Sequence, residues 1–420
     1  MEQVKKFFFK NTSIRQTVIK NTTWLFVGEI SMRLLKLVLF IYAARKLGTS
    51  EWGVFSYALA LMSIFQVFSD IGVNSVILRE TARKVENSRE YISTSFFLKL
   101  GLSFVSSLAL FSLIFFIKND AAVKILIPIT ALMLFFDSMR EFGFSLNRAF
   151  EKMEVEAFTK IITTALLVVL GFIFIANYPR AISISYAYVI SGIIGVIIMY
   201  YSLRQHFKDL VSTLNKKIVP YIFKEAWPLA TVGIIGTIMT NLDMVMLGWF
   251  TNSHNIGLYS AAQKPVQIIY LVPTLLSTAI FPVFSRLALN DKDQVKNVIR
   301  KSFSFSLLIA LIINVGILLI GGPVFKIAFG QQYTSAIPLL KIMSLAIITG
   351  APGIIISNAI FALGQQKKLI QFISVTFIID IILCLLLIPR YGIYGAAISV
   401  TISQTLGNLF LIIRSRKILK

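Results

Sequence analysis

Long apolar stretches separated by short polar connections run along almost the whole chain. Twelve of them are about 20 residues or longer, the length that an α-helix needs to cross a bilayer. The pattern therefore predicts an all-α membrane protein of about twelve transmembrane helices. The stretches fall approximately at 22–46, 54–78, 94–117, 121–147, 157–178, 181–203, 226–250, 256–285, 302–322, 335–363, 369–388 and 392–413.

The composition agrees with this pattern. Hydrophobic residues make up 56% of the 420 residues and charged residues only 14%, so the chain has too little polar surface to enclose itself in water. The connections are rich in Gly, Pro, Asn or charge, as at 177–180 and 389–392, which suits tight turns between helices. We expect a multi-pass membrane protein with no room for a soluble domain.

The net charge of +22 is assigned to membrane orientation rather than to nucleic-acid binding. Most of the 41 lysine and arginine residues precede the first stretch, follow the last, or lie in connections on that same side. Three, Arg33, Lys36 and Arg140, are assigned to the interior of stretches. Because basic residues favour the cytoplasmic side, both termini are predicted to be cytoplasmic. No cleavable signal peptide is expected, since no short apolar region with a small-residue cleavage site follows the basic start.

Residues 204–225 form the longest polar connection. Basic and apolar residues are mixed within it, as in an amphipathic segment that lies on the inner membrane face. It divides the chain into a six-helix bundle at 1–203, a cytoplasmic linker at 204–225 and a second six-helix bundle at 226–420. The tetrapeptide GVFS at 53–56, at the start of the second stretch, matches GLYS at 257–260, at the start of the eighth, which favours two related bundles.

Several short segments occur in an order that resembles a known family. They are ARKLG at 44–48, EWG at 51–53, DIG at 70–72, NRAF at 147–150, DMVMLG at 243–248, GLYSAAQK at 257–264 and FPVFSR at 281–286. In a twelve-span frame this order resembles the polysaccharide-transporter family, the oligosaccharide-lipid flippases of the multidrug/oligosaccharidyl-lipid/polysaccharide exporter superfamily. The resemblance covers nearly the whole chain.

The resemblance implies two pseudo-symmetric six-helix bundles that rock about a central cavity in a bacterial cytoplasmic membrane. Such proteins carry polyprenyl-pyrophosphate-linked oligosaccharide repeat units outward for O-antigen or capsule assembly. The partners it implies are this lipid-linked substrate, membrane lipid, and possible contacts with a polysaccharide polymerase and a chain-length regulator. Two alternatives stay open: a cation-coupled multidrug exporter of the same superfamily and, less favoured, a membrane polysaccharide polymerase.

The first predicted helix carries Glu29, Arg33 and Lys36 on one face. A charge within a lipid-exposed helix costs about 2.5–3.5 kcal/mol on insertion scales, so these side chains are expected to face a cavity or a partner. Arg33 and Lys36 could bind the substrate's pyrophosphate. Alternatively, Glu29 and Arg33 form an ion pair that fixes the packing. The resemblance also implies that Arg33 occupies the position of a cavity arginine.

The eighth stretch has Lys264 near its start, just before Pro265, and carries a polar stripe of Gln263, Gln267, Tyr270 and Thr274. The stripe could hydrogen-bond sugar hydroxyls or cross-link neighbouring helices. The resemblance implies that Lys264 is a cavity cation, whereas its position at a helix end also suits a lysine that extends to the lipid headgroups.

Carboxylates elsewhere in the stretches are candidates for coupling transport to an ion. Asp70 shares one face with Ser63, Gln66 and Asn74 and is the leading candidate because its own helix has no basic residue within a turn. Asp137 lies three residues before Arg140, on a face that also carries Glu141 and Arg148. That spacing favours a structural ion pair, although Arg140 is also a candidate substrate ligand. The weaker coupling candidates are Glu29, Asp137, Asp243 and Asp380.

Other chemistries have little support in the sequence. The two histidines, His206 and His254, are interpreted as solvated loop residues and suggest no metal site. The single cysteine, Cys384, is interpreted as apolar filler. The chain carries neither a phosphate-binding G-x-x-x-x-G-K-[ST] loop nor a G-x-S-x-G elbow, so we expect no cofactor, no direct use of ATP and no enzymatic activity.

Overall fold

The computed structural model describes residues 14–83, 88–117, 120–207, 210, 213–277, 280, 284 and 292–418. Helices occupy most of these residues, and no strand occurs within these ranges, so the all-α prediction is confirmed. The helices are α1 Ile14–Phe68, α2 Val73–Arg83, α3 Ser88–Ser112, α4 Ala121–Ala149, α5 Met153–Asn177, α6 Ala181–Leu203, α7 Val219–Phe250, α8 Ser253–Ile269, α9 Lys292–Phe329, α10 Ile337–Ser344, α11 Ala346–Ala362 and α12 Gln366–Ile418.

The two longest helices are each bent at a glycine. Gly48 in α1 has φ 78° and ψ 172°, and Gly392 in α12 has φ 55° and ψ −128°. Glycine accepts these positive φ angles without the penalty that a Cβ brings. Each long helix therefore consists of two arms, which correspond to two of the predicted stretches.

Seven helices in the described ranges are long and apolar enough to cross a membrane. An eighth span results if the bent pair of Gln331–Ser344 and Ala346–Ala362, angled at 41°, counts as one crossing. The 48-residue span Lys368–Ser415 contains the bend at Gly392 and is therefore long enough for two. Large apolar side chains are exposed along these helices, as lipid contact requires. Examples are Phe104, Leu108, Phe115, Ile312, Leu319 and Ile327.

The second predicted stretch ends earlier than the sequence suggested. A helix over 54–78 is wrong, because α1 ends at Phe68 and a turn with Ile71 at φ 41° and Gly72 at φ 80° precedes the separate helix α2. Gly72 lies against α7, where an added Cβ would stand 2.7 Å from the Ala226 carbonyl oxygen. Apolar content alone did not reveal this turn.

The connection predicted to be one amphipathic segment is interrupted. Residues 204–207 form turns after α6, Lys216–Ile218 form a short 3₁₀ helix, and α7 begins at Val219. Asn215 caps the 3₁₀ helix by accepting from the Lys217 amide at 3.1 Å and donates to Glu90 at 2.9 Å. Residues 208, 209, 211 and 212 lie outside the described part.

Contacts divide the chain into two compact units. The first unit comprises Met1–Leu47 and Ala58–Thr237, and the second comprises Gly48–Tyr57 and Ile238–Lys420. The domain limits predicted at 203 and 226 stay predictions. Among the described residues of the first unit, Ile77, Ile92, Phe142, Leu146 and Leu203 form a buried cluster. In the second unit, Phe284, Ile299, Ile355 and Ala359 form another.

The matching tetrapeptides meet inside the second unit. A Cβ on Gly53 would stand 1.8 Å from the Ser253 carbonyl oxygen, and a Cβ on Gly257 would stand 1.9 Å from the Thr49 carbonyl oxygen. Three residues further along each copy, Ser260 Oγ donates to Ser56 Oγ at 2.7 Å. Equivalent positions of the two copies thus contact each other at a backbone crossing that only glycine permits. This pairing supports the internal repeat.

Candidate functional site

The charged face predicted on the first helix is present on α1. Arg33 Nε donates to Glu29 Oε1 at 2.6 Å, yet 45% of the Arg33 side chain stays exposed. Lys36 Nζ lies 5.8 Å from the centre of the Tyr188 ring on α6. The Glu29–Arg33 ion pair of the packing alternative therefore exists, and it leaves much of the guanidinium surface accessible.

Helix α4 contributes the pair that its spacing predicted. Arg140 Nη2 donates to Asp137 Oδ1, and the guanidinium lies 5.7 Å from the centre of the Phe144 ring. The buried Nε of Arg140 has no hydrogen-bond partner. Lys36 interacts electrostatically with both Arg140 and Asp137. Arg140 is thus partly neutralised and still has a donor for a further acceptor.

Helix α5 links these charges into one network. Lys160 Nζ lies 3.3 Å from Glu29 Oε2 and 2.9 Å from Glu156 Oε1. Glu156, whose side chain is 0% exposed, also accepts two hydrogen bonds from Arg148 at 2.7 and 2.6 Å. We call the following set the charged network, all of it within the first unit: Glu29, Arg33, Lys36, Asp137, Arg140, Glu141, Arg148, Glu156 and Lys160.

Asp70 has a basic partner on another helix. Lys99 Nζ on α3 donates to Asp70 Oδ1 at 3.1 Å, and the Asp70 carboxylate also accepts from the Asn74 amide at 3.1 Å. The Lys99 side chain is only 1% exposed. The prediction of Asp70 as an ion-coupling residue considers basic residues on its own helix only. It therefore does not take account of Lys99, which lies on α3.

Two carboxylates are buried within the second unit. Asp243, 1% exposed, accepts from the Tyr259 hydroxyl and from Gln263 Nε2, the latter at 3.0 Å. Asp380, 2% exposed, accepts from Ser403 Oγ at 2.6 Å. The two carboxylates interact electrostatically. We refer to Asp243 and Asp380 as the carboxylate pair.

The polar stripe of the eighth predicted stretch is largely engaged in contacts within the protein. Gln263 on α8 donates to Asp243 on α7, and the Tyr270 hydroxyl donates to Gln404 Oε1 on α12 at 3.3 Å. These two bonds join different helices, as in the cross-linking alternative. Thr274 donates locally to the Tyr270 carbonyl at 2.7 Å. Gln267 is exposed and Lys264 half-buried, so their substrate role stays a prediction.

Comparisons with known proteins agree with this architecture. The profile of the family described as polysaccharide biosynthesis protein matches residues 18–288. The chain belongs to this family. A putative O-antigen transporter of Shigella flexneri is 24% identical, over 94% of this chain and 97% of that protein. The capsular polysaccharide biosynthesis protein CapF of Staphylococcus aureus is 23% identical, over 92% of this chain and 96% of CapF.

Two solved structures share the fold. The lipid II flippase MurJ in an inward closed conformation has a TM-score of 0.77 at 17% identity, covering 93% of this chain and 87% of MurJ. An inward-facing multidrug-resistance transporter of the MATE family has a TM-score of 0.73 at 15% identity, covering 94% of this chain and 98% of that protein. The chain therefore has the fold of these two transporters, and its long apolar helices make it a multi-pass membrane protein.

Two cations of this polysaccharide biosynthesis family member were not predicted from the sequence. Lys99 and Lys160 fall within the predicted stretches 94–117 and 157–178 and inside α3 and α5, so the count of three basic residues in stretch interiors was too low. Lys99 pairs with Asp70 in the turn after α1, and Lys160 pairs with Glu29 on α1. The rule that membrane charges need partners would have found them if applied to every helix.

Within the described residues, no group of three His, Cys, Asp or Glu side chains is placed so that it could hold a metal ion. The interpretation of His206 as a solvated loop residue was wrong, because its ring stacks on Phe150 with centres 4.1 Å apart. His254 is exposed and pairs with Thr49 Oγ1 at 2.6 Å. Cys384 is buried, as expected of apolar filler.

The predicted substrate ligands fall into two groups. Arg33, Lys36 and Arg140 belong to the charged network of the first unit, whereas Gln263 and Lys264 lie in the second unit. A single cavity lined by both groups stays a prediction. The charged network is the better-defined candidate site of this family member, because its ion pairs and electrostatic contacts tie its members together.

Proposed function

We propose that this protein is a flippase that moves polyprenyl-pyrophosphate-linked oligosaccharide repeat units from the cytoplasmic to the outer leaflet, for surface polysaccharide assembly. The observation that carries the proposal is the charged network, in which Arg33 and Lys36 on α1 and Arg140 on α4 belong to one set of interacting charges. Membership of the polysaccharide biosynthesis family and the relatives named as an O-antigen transporter and a capsule protein support it.

The pyrophosphate would bind by replacing the carboxylates that pair with the two arginines. Arg33 and Arg140 are each paired with a carboxylate before substrate arrives, which lowers the cost of keeping them away from water. An entering diphosphate offers oxygens of the same kind as Glu29 and Asp137, in geometry that guanidinium groups bind well. Release of the substrate would restore the internal pairs, so binding remains reversible.

The carboxylate pair of the second unit would couple transport to an ion. Two buried carboxylates in electrostatic contact are costly as bare anions, and a proton or a metal cation bound with them relieves that cost. Asp243 and Asp380 therefore become the leading coupling candidates, ahead of Asp70, whose partner Lys99 already supplies a positive charge.

The membrane potential would add to this drive. A lipid-linked pyrophosphate that moves outward carries negative charge away from a negative interior, and each charge gains about 2.3 kcal/mol per 100 mV. This proposal places the protein in the bacterial cytoplasmic membrane with both termini inside. It also assigns the chain to transport and not to catalysis, with a polymerase and a chain-length regulator as partners.

Reconstitution into proteoliposomes with lipid-linked oligosaccharide tests the proposal. Arg33→Ala should lose most of the flipping activity, and Arg33→Lys should keep part of it, because the charge is retained without the bidentate geometry. Arg180→Ala is the matched control, since Arg180 is exposed and stacks on Tyr178 away from the charged network. Movement of cationic drugs with no movement of lipid-linked oligosaccharide would overturn the proposal.

A further inference from the structure

A polar cavity lies inside the first unit. Its volume is about 510 Å³, within the range of about 300–1,000 Å³ that is typical of ligand pockets. Residues of α1, the turn before α2, α2, α3, α4 and α7 line it, and the polar ones include Gln66, Asp70, Asn74, Lys99 and Glu141. We call it the α1–α4 cavity.

The backbone turn after α1 sets the acidic group of this cavity in place. Ile71 and Gly72 have positive φ angles, so the chain reverses directly after Asp70. The carboxylate is then held by the Asn74 amide and by Lys99 Nζ, both at 3.1 Å. Because Lys99 is almost fully buried, it acts as a built-in counter-ion for Asp70.

Two buried acceptors of the cavity have no donor. Gln66 Oε1 and Asn74 Oδ1 are both buried without a hydrogen-bond partner. Leaving such an oxygen unpaired is unfavourable, and both amides lie within one helical turn of Asp70 along the chain. A ligand that brings several O–H or N–H donors would pair them.

The hydrogen-bonding and charged groups of the cavity indicate which kind of ligand it can bind. Besides the two amide oxygens the cavity holds the carboxylates of Asp70 and Glu141, against a single ammonium from Lys99. This surplus of acceptors and negative charge favours uncharged or protonated donors and repels anions. A metal cation is less suited, because Lys99 already occupies the cationic position beside Asp70.

We propose that the α1–α4 cavity is a saccharide subsite that binds a hydroxyl-rich neutral or amino sugar and discriminates against acidic sugars. The proposal rests on the proposed flippase function and deepens it: the charged network takes the pyrophosphate, and this cavity selects the sugar. Glu141 lines the cavity and interacts electrostatically with Asp137 and Arg140, so the two sites are adjacent within one unit.

Binding of free sugars tests the subsite without any transport. The probes are glucose, glucosamine and glucuronate, which have similar size and differ in charge, observed by saturation-transfer NMR on the purified full chain. We expect binding of glucose and glucosamine and a several-fold weaker signal from glucuronate. Asp70→Asn combined with Glu141→Gln should remove the discrimination against glucuronate.

The double variant Gln66→Leu, Asn74→Leu separates binding from folding. Loss of two neutral hydrogen bonds should weaken glucose binding by about tenfold. Thermal stability should be unchanged or higher, because both removed oxygens are unpaired in the protein. Asn177→Leu is the matched control, since that exposed amide only donates to the Ile173 carbonyl of its own helix, at 2.8 Å.

Three results would overturn the subsite: equal binding of the three sugars, unchanged glucose binding by the Leu double variant, or a sodium response that depends on Asp70 without a sugar signal. The flipping assay separates the two proposals. Unchanged flipping rate and sugar selectivity in the Leu double variant would remove the subsite and leave the flippase. Sugar binding by a protein that moves no lipid-linked substrate would remove the proposed function instead.

Discussion

Charged side chains inside the two units have different kinds of partner. In the first unit, cations and carboxylates alternate in ion pairs that join α1, α4 and α5, as Glu29 does with Arg33 and Lys160. In the second unit, Asp243 and Asp380 are held by neutral donors, namely a tyrosine, a glutamine and a serine. Paired cations can exchange their partners for an anionic ligand, whereas neutral-bonded carboxylates suit a proton or a cation.

This contrast exists although the halves share an internal repeat. The repeat is visible at the glycine crossing, where Gly53 and Gly257 occupy matching positions and Ser56 pairs with Ser260. The backbones approach each other closely at this crossing, whereas the charged side chains of the two units have different kinds of partner. Under the proposed function, this contrast would correspond to a division of work, with the substrate's charge met in the first unit and the coupling ion in the second.

The largest expected effect comes from a substitution at the crossing of the two tetrapeptides. Gly257→Val should prevent folding, because its Cβ would lie 1.9 Å from the Thr49 carbonyl oxygen, and backbone at such a crossing cannot move aside. The measure is the yield of monodisperse protein in detergent. Gly316→Ala is the control, since nothing lies within 4 Å of its added Cβ. Normal yield of the Gly257 variant would show that the crossing does not hold the repeat together.

A smaller loss of stability is expected from a change in the first unit. Glu156→Gln removes the negative charge that binds both Arg148 and Lys160. Breaking a buried pair leaves an uncompensated charge and costs about 3–5 kcal/mol. Thermal unfolding in detergent should therefore shift clearly downward, while Glu151→Gln, at an exposed position, should shift it little. A stability equal to wild type would mean that the charged network is not an interdependent unit.

The corresponding change in the second unit should affect coupling more than stability. Asp243→Asn keeps a polar group for Tyr259 and Gln263 while removing one of two buried negative charges, so unfolding should change by only about 1 kcal/mol. Flipping should lose its dependence on an imposed proton or sodium gradient and retain its response to membrane potential. Asp137→Asn in the first unit is the comparison variant, and its gradient dependence should persist. Loss of the gradient dependence in both variants would contradict the assignment of the coupling ion to the second unit.

Some of this arrangement follows from local sequence and some does not. The all-helical character and the Asp137–Arg140 pair depend on hydropathy and short-range spacing, so they can be predicted. The matching tetrapeptides are visible in the sequence, whereas their contact with each other is not. The Asp70–Lys99 pair joins α1 to α3 across 29 positions, and the turn at Gly72 depends on close approach of Ala226 on α7. A hydropathy profile predicts neither the ion pair nor the turn, because both depend on which helices become neighbours.

The smallest expected effect concerns the edge of the first unit, outside the membrane-spanning segments. Partial burial lowers the pKa of the His206 imidazole below its usual range, and the positive charges of Lys152 and Arg89 lower it further. The folded state therefore favours the neutral form of the ring, which also stacks on Phe150. The unfolded chain binds a proton near the ordinary pKa of about 6.5, so stability should fall as the pH drops through that value and be constant well above it.

Two variants separate the titration of His206 from its stacking. His206→Phe keeps an aromatic ring against Phe150 and removes the titration, so the difference in Tm between pH 8 and pH 5.5 should shrink by about 1–2 °C. His206→Gln should shrink that difference equally while lowering Tm at both pH values, because the stacking is lost. If both variants kept the wild-type dependence on pH, another group would be responsible for the acid sensitivity.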